Sequence, residues 1–369
     1  MKTFERIRES YRYARDNGAY RLATRPGVLL NYARFTREFA ARPLVMRSTP
    51  PGIEIELTNR CNLACVQCLR SRGLRPYALG DITVEHYRRI LAQFPNIYSV
   101  TLNGFGEPLL HRDFAAIVAQ TRAERPWCKI VIYDNGMLLD EDRVRAIIGS
   151  GLTEINVSID AATPDTYRRV RRGGTFEVVH DNLRRLVRRR REAGARFPRV
   201  GVNFVMLNEN EGELVPFIDQ AAEIGVDFVN CITLATYDWG FGNRRSPANY
   251  ARELEQAAAH LAQLGLRCRS FPSRDIAWAA PDRAFDCSFF WGDNLRITYA
   301  GDVTLGCCTP FRETYTYGNV LETPFTEIWN NERFRDNRRK ALEHVPPTTS
   351  CQSCAAFAAC FFASAHLRP

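Results

Sequence analysis

The sequence predicts an α/β fold. It reads as a partial (β/α)6, TIM-like barrel with a short helical N-terminal extension and a small cysteine-rich C-terminal domain. Three observations carry this. Six strand-like segments alternate with helical ones from residue 53 onward, as parallel sheets with crossover helices require. No G-x-G-x-x-G follows the first strand, so the rival dinucleotide-binding sheet lacks its phosphate turn. From about residue 271 the pattern changes to a hairpin, a helix and clustered cysteines.

Residues 1–50 read as short basic helices followed by the Pro-punctuated linker "ARPLVMRSTPPG". Residues 51–270 hold the strands "IEIEL" (53–57), "YSVTLN" (98–103), "KIVIYD" (129–134), "EINVSID" (154–160), "RVGVNFVML" (199–207) and "DFVNCITL" (227–234). Between them, Thr163 before Pro164 starts one helix and Ser246 before Pro247 another, which stops at Gly265. Residues 271–369 open with a hairpin, "NLRITY" and "VTL" joined at Ala300–Gly301–Asp302, and continue with one helix in "TPFTEIWNNERFRDNRRKAL". In parallel α/β folds chemistry sits where strands end. Cys61, Glu107, Asn135 and Asp160 fall there.

Composition narrows the function classes. No run of eighteen apolar residues appears, so no membrane span is expected. The N-terminus lacks the apolar stretch of a secretory signal, and a cytoplasmic location is expected. The net charge is +9, concentrated in "LRRLVRRRREAGARFPR" (183–199). Leu183, Leu186 and Val187 form a helical apolar stripe there, which leaves the arginines on a solvated face. A nucleic-acid partner is therefore not expected.

Twelve cysteines are many for a reducing compartment, and most are clustered. Cys128, Cys231 and Cys268 stand alone and read as small buried apolar residues. Cys61, Cys65 and Cys68 have the spacing C-x3-C-x2-C. A closed zinc or cubane iron–sulfur site takes four ligands; three thiolates on one loop leave a corner for a small molecule. A zinc site completed by a distant residue is the plain alternative.

The loop, placed just after the first strand, resembles that of the radical S-adenosylmethionine (SAM) superfamily. "GFGEP" (104–108) resembles the family's Gly-Gly-Glu-Pro motif, with Phe105 at its first glycine. "YDNGMLL" resembles its Thr-Asn-Gly turn, with Asp134 replacing the threonine, and "SID" (158–160) its fourth-strand motif. The resemblance implies a [4Fe–4S] cluster on Cys61, Cys65 and Cys68 whose open iron is chelated by SAM. Reductive cleavage would then yield a 5′-deoxyadenosyl radical. It further implies cofactor contacts from Phe105, Gly106, Glu107, Pro108, Asn135, Ser158, Asp160 and Asn203. Glu107 would take the cofactor's ammonium and Arg171, beside Arg172, its carboxylate. A flavodoxin or ferredoxin-type protein would supply the electron.

The C-terminal cysteines resemble the SPASM or shorter twitch extension of this superfamily. The carrying residues are Cys287, Gly301 before Cys307–Cys308, "YGNVLETPFTEIWN" and the closing Cys351, Cys354 and Cys360. One auxiliary [4Fe–4S] cluster on Cys287, Cys307, Cys351 and Cys354 is implied, with Cys308 and Cys360 as alternates. On C-x2-C alone, zinc would be the favoured metal.

For the substrate, the resemblance favours a small sugar or aminocyclitol, dehydrogenated or epimerised at a carbinol carbon. Cys231 would be the hydrogen donor in an epimerase. The alternative is radical maturation of a ribosomally made peptide, and a remote one is a non-catalytic iron–sulfur scaffold. Tyr237, Asp238, Asn243 and Arg244 would line the substrate opening or simply form a surface loop.

Overall fold

Each of the six sequence segments forms a strand in the computed structural model. The structure describes residues 25–73, 78–233, 247–271, 285–306, 316–348 and 351. The strands are β1 (Gly52–Ile55), β2 (Ser99–Thr101), β3 (Lys129–Asp134), β4 (Glu154–Ser158), β5 (Arg199–Met206) and β6 (Phe228–Thr233). They pair in sequence order and all in parallel. Helices α1 (Pro26–Ala41), α2 (Val84–Ala92), α3 (Phe114–Glu124), α4 (Glu141–Ser150), α5 (Pro164–Val170), α6 (Phe176–Glu192), α7 (Leu214–Ile224) and α8 (Pro247–Leu264) complete this part. All but α1 follow a strand, which makes six crossover units.

Local chemistry sets the helix boundaries. Thr83, Asp140 and Thr163 each accept a backbone N–H of the first turn through the side chain, as the sequence expects for Thr163. Helix α8 begins at Pro247 and ends just before Gly265, whose φ is +62°; Ser246 lies outside the described residues. The arginine-rich helix α6 buries Leu183, Leu186 and Val187 as its stripe predicts. Arg190 departs from the prediction of an all-exposed arginine face. It is buried, ion-paired with Asp227 and bonded to the Pro198 carbonyl.

Strand alternation separates two chemistries. On β3, Ile130 and Ile132 point to the helix layer, while Lys129 and Tyr133 point into the barrel. Inside the barrel a ladder of side chains climbs toward the strand ends. Glu154 accepts from Asn156 (3.2 Å), Asn156 from Asn230 (3.1 Å), Asn203 from Asn230 (2.8 Å) and Ser158 from Asn203 (3.4 Å). At the floor Glu154 meets Lys129 (3.1 Å) and Arg269, whose guanidinium lies 3.5 Å from the centroid of the Phe228 ring. Phe228 lies across Gly201, where an added Cβ would come within 2.2 Å of the ring.

Two features depart from the expected module boundary. A seventh parallel strand, β7 (Cys268–Ser270), pairs with β6 through a bulge; at three residues it carries no readable alternation. The C-terminal hairpin, β8 (Leu295–Ile297) and β9 (Asp302–Leu305), turns at Gly301 (φ +92°) as expected. Yet β8 pairs in parallel with β1, and β10 (Gly318–Asn319) extends the edge, so a ten-stranded sheet runs β10-β9-β8-β1-β2-β3-β4-β5-β6-β7. Arg296 on β8 reaches Glu54 on β1 (2.6 Å) across that seam.

The single helix expected near the C-terminus is two. Helix α9 (Phe325–Ile328) ends before Asn331, which caps α10 (Glu332–Leu342) by accepting from Phe334 N. Arg338 on α10 is fully buried and donates to the carbonyls of Phe290, Leu44 and Trp329. It thereby ties the linker after α1 to the C-terminal elements. Among the described residues no helix is long and apolar enough to cross a membrane.

Candidate active site

The loop after β1 carries Cys61, Cys65 and Cys68 and is fastened on both flanks. Ala64 and Val66 donate backbone N–H to the carbonyls of Arg172 (2.8 Å) and Val170 (3.0 Å), at the end of α5. Arg70 folds back on the loop and donates to Leu63 O (2.5 Å) and Cys61 O (3.3 Å). Cys68 N bonds Cys65 O (3.1 Å) and Leu63 N reaches Cys61 Sγ (3.5 Å). Every described cysteine is a thiol rather than half of a disulfide. Among the described residues no three side chains converge as ligands of a single metal ion. A four-iron cluster makes no such demand, because each thiolate binds a different iron. Three free thiols on one loop, with Cys61 and Cys68 partly exposed, are the donor chemistry that such a cluster takes.

Two strand-end residues have duties the resemblance did not assign them. Asp160 is fully buried at φ +59°, a left-handed conformation rare outside glycine. Its carboxylate accepts from Val205 N (2.8 Å) and Gln67 Nε2 (2.6 Å) and pairs with Arg171. Gln67 belongs to the cysteine loop, so Asp160 anchors that loop to β4. Arg171 Nη1 donates to Cys65 Sγ (3.6 Å) while its other arm holds Asp160. It thus faces the Cys65 thiol, where the resemblance implied the cofactor's carboxylate. Burial pushes the Cys65 thiol up, and the Arg171 charge opposes it. For Arg171 burial acts against the charge, but Asp160 and Cys65 outweigh it and hold the guanidinium more basic than usual.

The GFGEP loop lies against the cysteine loop. At Gly106 an added Cβ would approach Thr58 O to 2.2 Å and Arg60 O to 2.5 Å, so only glycine lets the two backbones touch. Phe105 N donates to Glu56 Oε1 (2.8 Å) and Glu107 N to Arg60 O (2.7 Å). Pro108 opens a single 3-10 turn, capped by Glu107 through Leu109 N (3.1 Å). The second Glu107 oxygen accepts from Asn135 N (2.9 Å), and Asn135 Nδ2 donates to Asn62 Oδ1 (2.8 Å). Glu107, Asn135 and the cysteine loop thus come together, as the sequence order of these motifs implied. Ser158 and Asn203 lie deeper, at the top of the lumen ladder.

Cys231 does not face this space. On β6 its neighbour Asn230 bonds Asn203 and Asn156 inside the barrel, so alternation turns Cys231 to the helix layer, where it is fully buried. A hydrogen bond with Cys268 on β7, then burial, raises its thiol pKa, and the same bond lowers that of Cys268. The hydrogen-donor role is therefore withdrawn. Cys231→Ala is expected to leave SAM cleavage and solvent-deuterium incorporation unchanged, at a stability cost of about 1 kcal/mol read from the denaturation midpoint.

Of the C-terminal set, Cys287 precedes a 3-10 turn and Cys351 is buried, its N–H donating to Thr348 O (3.0 Å). Cys307, Cys308, Cys354 and Cys360 lie outside the described residues, as do Tyr237, Asp238, Asn243 and Arg244. Gly306 N donates to Asn294 O (2.9 Å), which holds the end of β9 beside the start of β8.

Sequence reasoning missed Gln67, Glu56 and the lumen charges Glu54, Glu154, Lys129, Arg269 and Arg296. Alternating Glu54 and Glu56 in "IEIEL" were the available signal. A charged strand face reads as solvated unless the sheet is known to close on it.

A Radical SAM superfamily profile matches residues 55–221, and the SPASM profile, an iron–sulfur cluster-binding domain, matches residues 287–355. Residues 55–221 are a radical SAM superfamily domain, and residues 287–355 are a C-terminal SPASM domain. SAM and a [4Fe–4S] cluster are its barrel cofactors, and the SPASM domain implies auxiliary iron–sulfur binding. It is 28% identical over 291 residues to a PqqA peptide cyclase of Streptomyces rochei, covering 77% of this chain and 76% of that protein. A second relative is the tungsten-containing aldehyde ferredoxin oxidoreductase cofactor-modifying protein of Pyrococcus furiosus. It is 24% identical, with 84% of this chain and 88% of that protein covered. In fold the chain is similar to Streptococcus suis SuiB, with a TM-score of 0.66 and 16% identity, over 90% of this chain and 78% of that one. It is also similar to anSMEcpe with bound AdoMet, with a TM-score of 0.59 and 14% identity, over 77% and 82%.

Proposed function

We propose that this enzyme modifies a ribosomally made peptide, abstracting a hydrogen atom from a residue held in the barrel lumen. The observation that carries the reading is that two of the relatives aligned across most of the chain are peptide cyclases. Two PqqA peptide cyclases align across 77% and 84% of the chain, whereas a GTP 3′,8-cyclase aligns across 47%. The SuiB fold, solved with the precursor peptide SuiA, is compatible with it. This reading displaces the small sugar or aminocyclitol that the loop resemblance favoured.

Bound SAM and the reduced cluster supply a carbon radical able to take a hydrogen atom. The protein's part is positional. Glu107, Asn135 and Gly106 hold two loops against the cysteine loop, Arg171 offsets thiolate charge, and the asparagine ladder offers amides to a polar substrate. We further propose that Cys287, Cys307, Cys351 and Cys354 hold one auxiliary cluster, which would accept the electron that the substrate radical gives up, with loss of a proton, as it becomes the oxidised product. The matched SPASM segment begins at Cys287 and ends just past Cys354.

The test incubates anaerobically reconstituted enzyme with candidate precursor peptides and, separately, with aminocyclitol intermediates. Peptide-dependent 5′-deoxyadenosine with a mass loss in the peptide is the expected result. Turnover with an aminocyclitol alone would restore the dehydrogenase or epimerase reading.

A further inference from the structure

Phe105 stands where the family pattern has its first glycine, so its side chain is a property of this chain. The half-buried ring meets the C-terminal hairpin. The guanidinium of Arg296 on β8 lies 5.8 Å from the ring centroid, within cation–π range. Arg296 is itself buried, and Glu54 holds it through Nη2 (2.6 Å) and Nε (2.8 Å).

A second link passes through Glu56, which follows β1 and is fully buried. Its Oε1 accepts from Phe105 N (2.8 Å) and its Oε2 from Tyr299 N (3.4 Å), in the turn between β8 and β9. Glu56 N donates to Ile297 O (2.9 Å), so its backbone and its carboxyl both engage the hairpin. A third link comes from the Tyr299 side chain. Its hydroxyl donates to Ala78 O (2.8 Å), which also accepts from Asn59 Nδ2 (2.8 Å), two residues before Cys61. The Tyr299 ring covers Gly80, where an added Cβ would come within 2.3 Å of it. One turn of the C-terminal module thus touches the GFGEP loop and the segments that flank the cysteine loop. Phe105 N and Tyr299 N share one carboxyl, so a shift of the turn moves the acceptor offered to the loop.

We propose that Phe105, Glu56 and Tyr299 are positioning residues through which the C-terminal hairpin holds the GFGEP loop in place for SAM. The SPASM module is then part of the SAM site's scaffold as well as a cluster carrier. The inference rests on SAM as the resident cofactor, with the GFGEP loop at its site. It is independent of the peptide reading.

Coupling of this kind is reciprocal: if the hairpin contacts favour the loop that binds SAM, SAM must strengthen those contacts by the same factor. The test is hydrogen exchange of the anaerobically reconstituted, unreduced full chain with and without SAM, read by mass spectrometry, together with calorimetric SAM affinity. In wild type, SAM should slow exchange in the GFGEP loop and in the β8–β9 turn, while helix α10 is unchanged. In Phe105→Ala and in Glu56→Gln, SAM affinity should fall by about 10-fold with the barrel cluster's iron retained. The SAM-dependent slowing in the turn should diminish in both. A wild-type turn that SAM leaves unchanged would overturn the proposal. So would slowing that α10 shares equally, which marks general stabilisation, or slowing in the turn that both variants keep in full. The wild-type comparison decides even if the variants fold poorly. No peptide is present, so the result is separate from the fate of the substrate reading.

Discussion

Replacing Cys61, Cys65 and Cys68 together by alanine is expected to remove reductive SAM cleavage altogether. Bound iron should fall from about eight to about four atoms per chain, because only the C-terminal cluster survives. The loop's backbone bonds to Arg172 and Val170 do not use the thiols, so the barrel should still fold. Iron and sulfide analysis with 5′-deoxyadenosine chromatography reads both quantities, and continued cleavage would refute the assignment of the loop. About four irons plus one zinc in wild type would refute the auxiliary cluster. Arg171→Gln leaves the three ligands intact but removes the donor to Cys65 and the partner of Asp160. A loss of about 10–100-fold in cluster affinity or activity is expected, the scale seen when a partner of a metal ligand is removed.

The second large effect lies at the barrel floor. Glu154 is buried between Lys129 and Arg269, and their charges overcome its burial to hold its carboxyl down at about 2. Removing one member of a buried ion cluster leaves the others uncompensated. Glu154→Gln is therefore expected to lower stability by about 3–5 kcal/mol, read as a shifted denaturant midpoint. The pH dependence points the same way. A carboxyl depressed in the folded state stabilises above its ordinary pKa near 4.5, and that stability is lost as pH falls toward 2. The shift corresponds to about 3 kcal/mol. In Glu154→Gln the acid-side loss should shrink by that amount. An unchanged midpoint and acid profile would show that the floor cluster contributes nothing net. Apolar replacement of Lys129, Glu154 and Arg269 together should cost far less than Glu154→Gln alone, since no charge is then stranded.

Much of the fold was legible because parallel strands carry apolar runs bounded by caps. "KIVIYD" matches β3 residue for residue, and Thr163–Pro164 starts α5 as expected. The strand ends were less legible. "EINVSID" stops two residues early in the structure, because Asp160 turns into a left-handed conformation. Helices α9 and α10 read as one segment because apolar periodicity continues through Asn331. The break comes from that residue capping backward onto Phe334 N. Strand β7 and the inward charges were hidden for a different reason: three residues show no period, and a charged strand face looks solvated in sequence.

The sequence by itself determined the chemistry of this protein. Cluster ligation is local: three thiols on one loop are the ligands proposed for a cluster with an open iron, and the order of strand-end motifs points to the cofactor site beside it. The tertiary structure decided everything that depends on which way a strand faces and what it pairs with. Alternation turned Cys231 away from the lumen and brought Glu154, Asn156 and Asn230 into it. Pairing of β8 with β1 joined the C-terminal hairpin to the barrel sheet. The loop's contacts gave Asp160 and Arg171 to Gln67 and Cys65, and the sheet set the Asp134 carboxyl against that of Glu107. The physical reason is range. Spacing along the chain fixes what neighbours within a loop can bind, whereas burial, pKa and partner choice are set by groups tens of residues away.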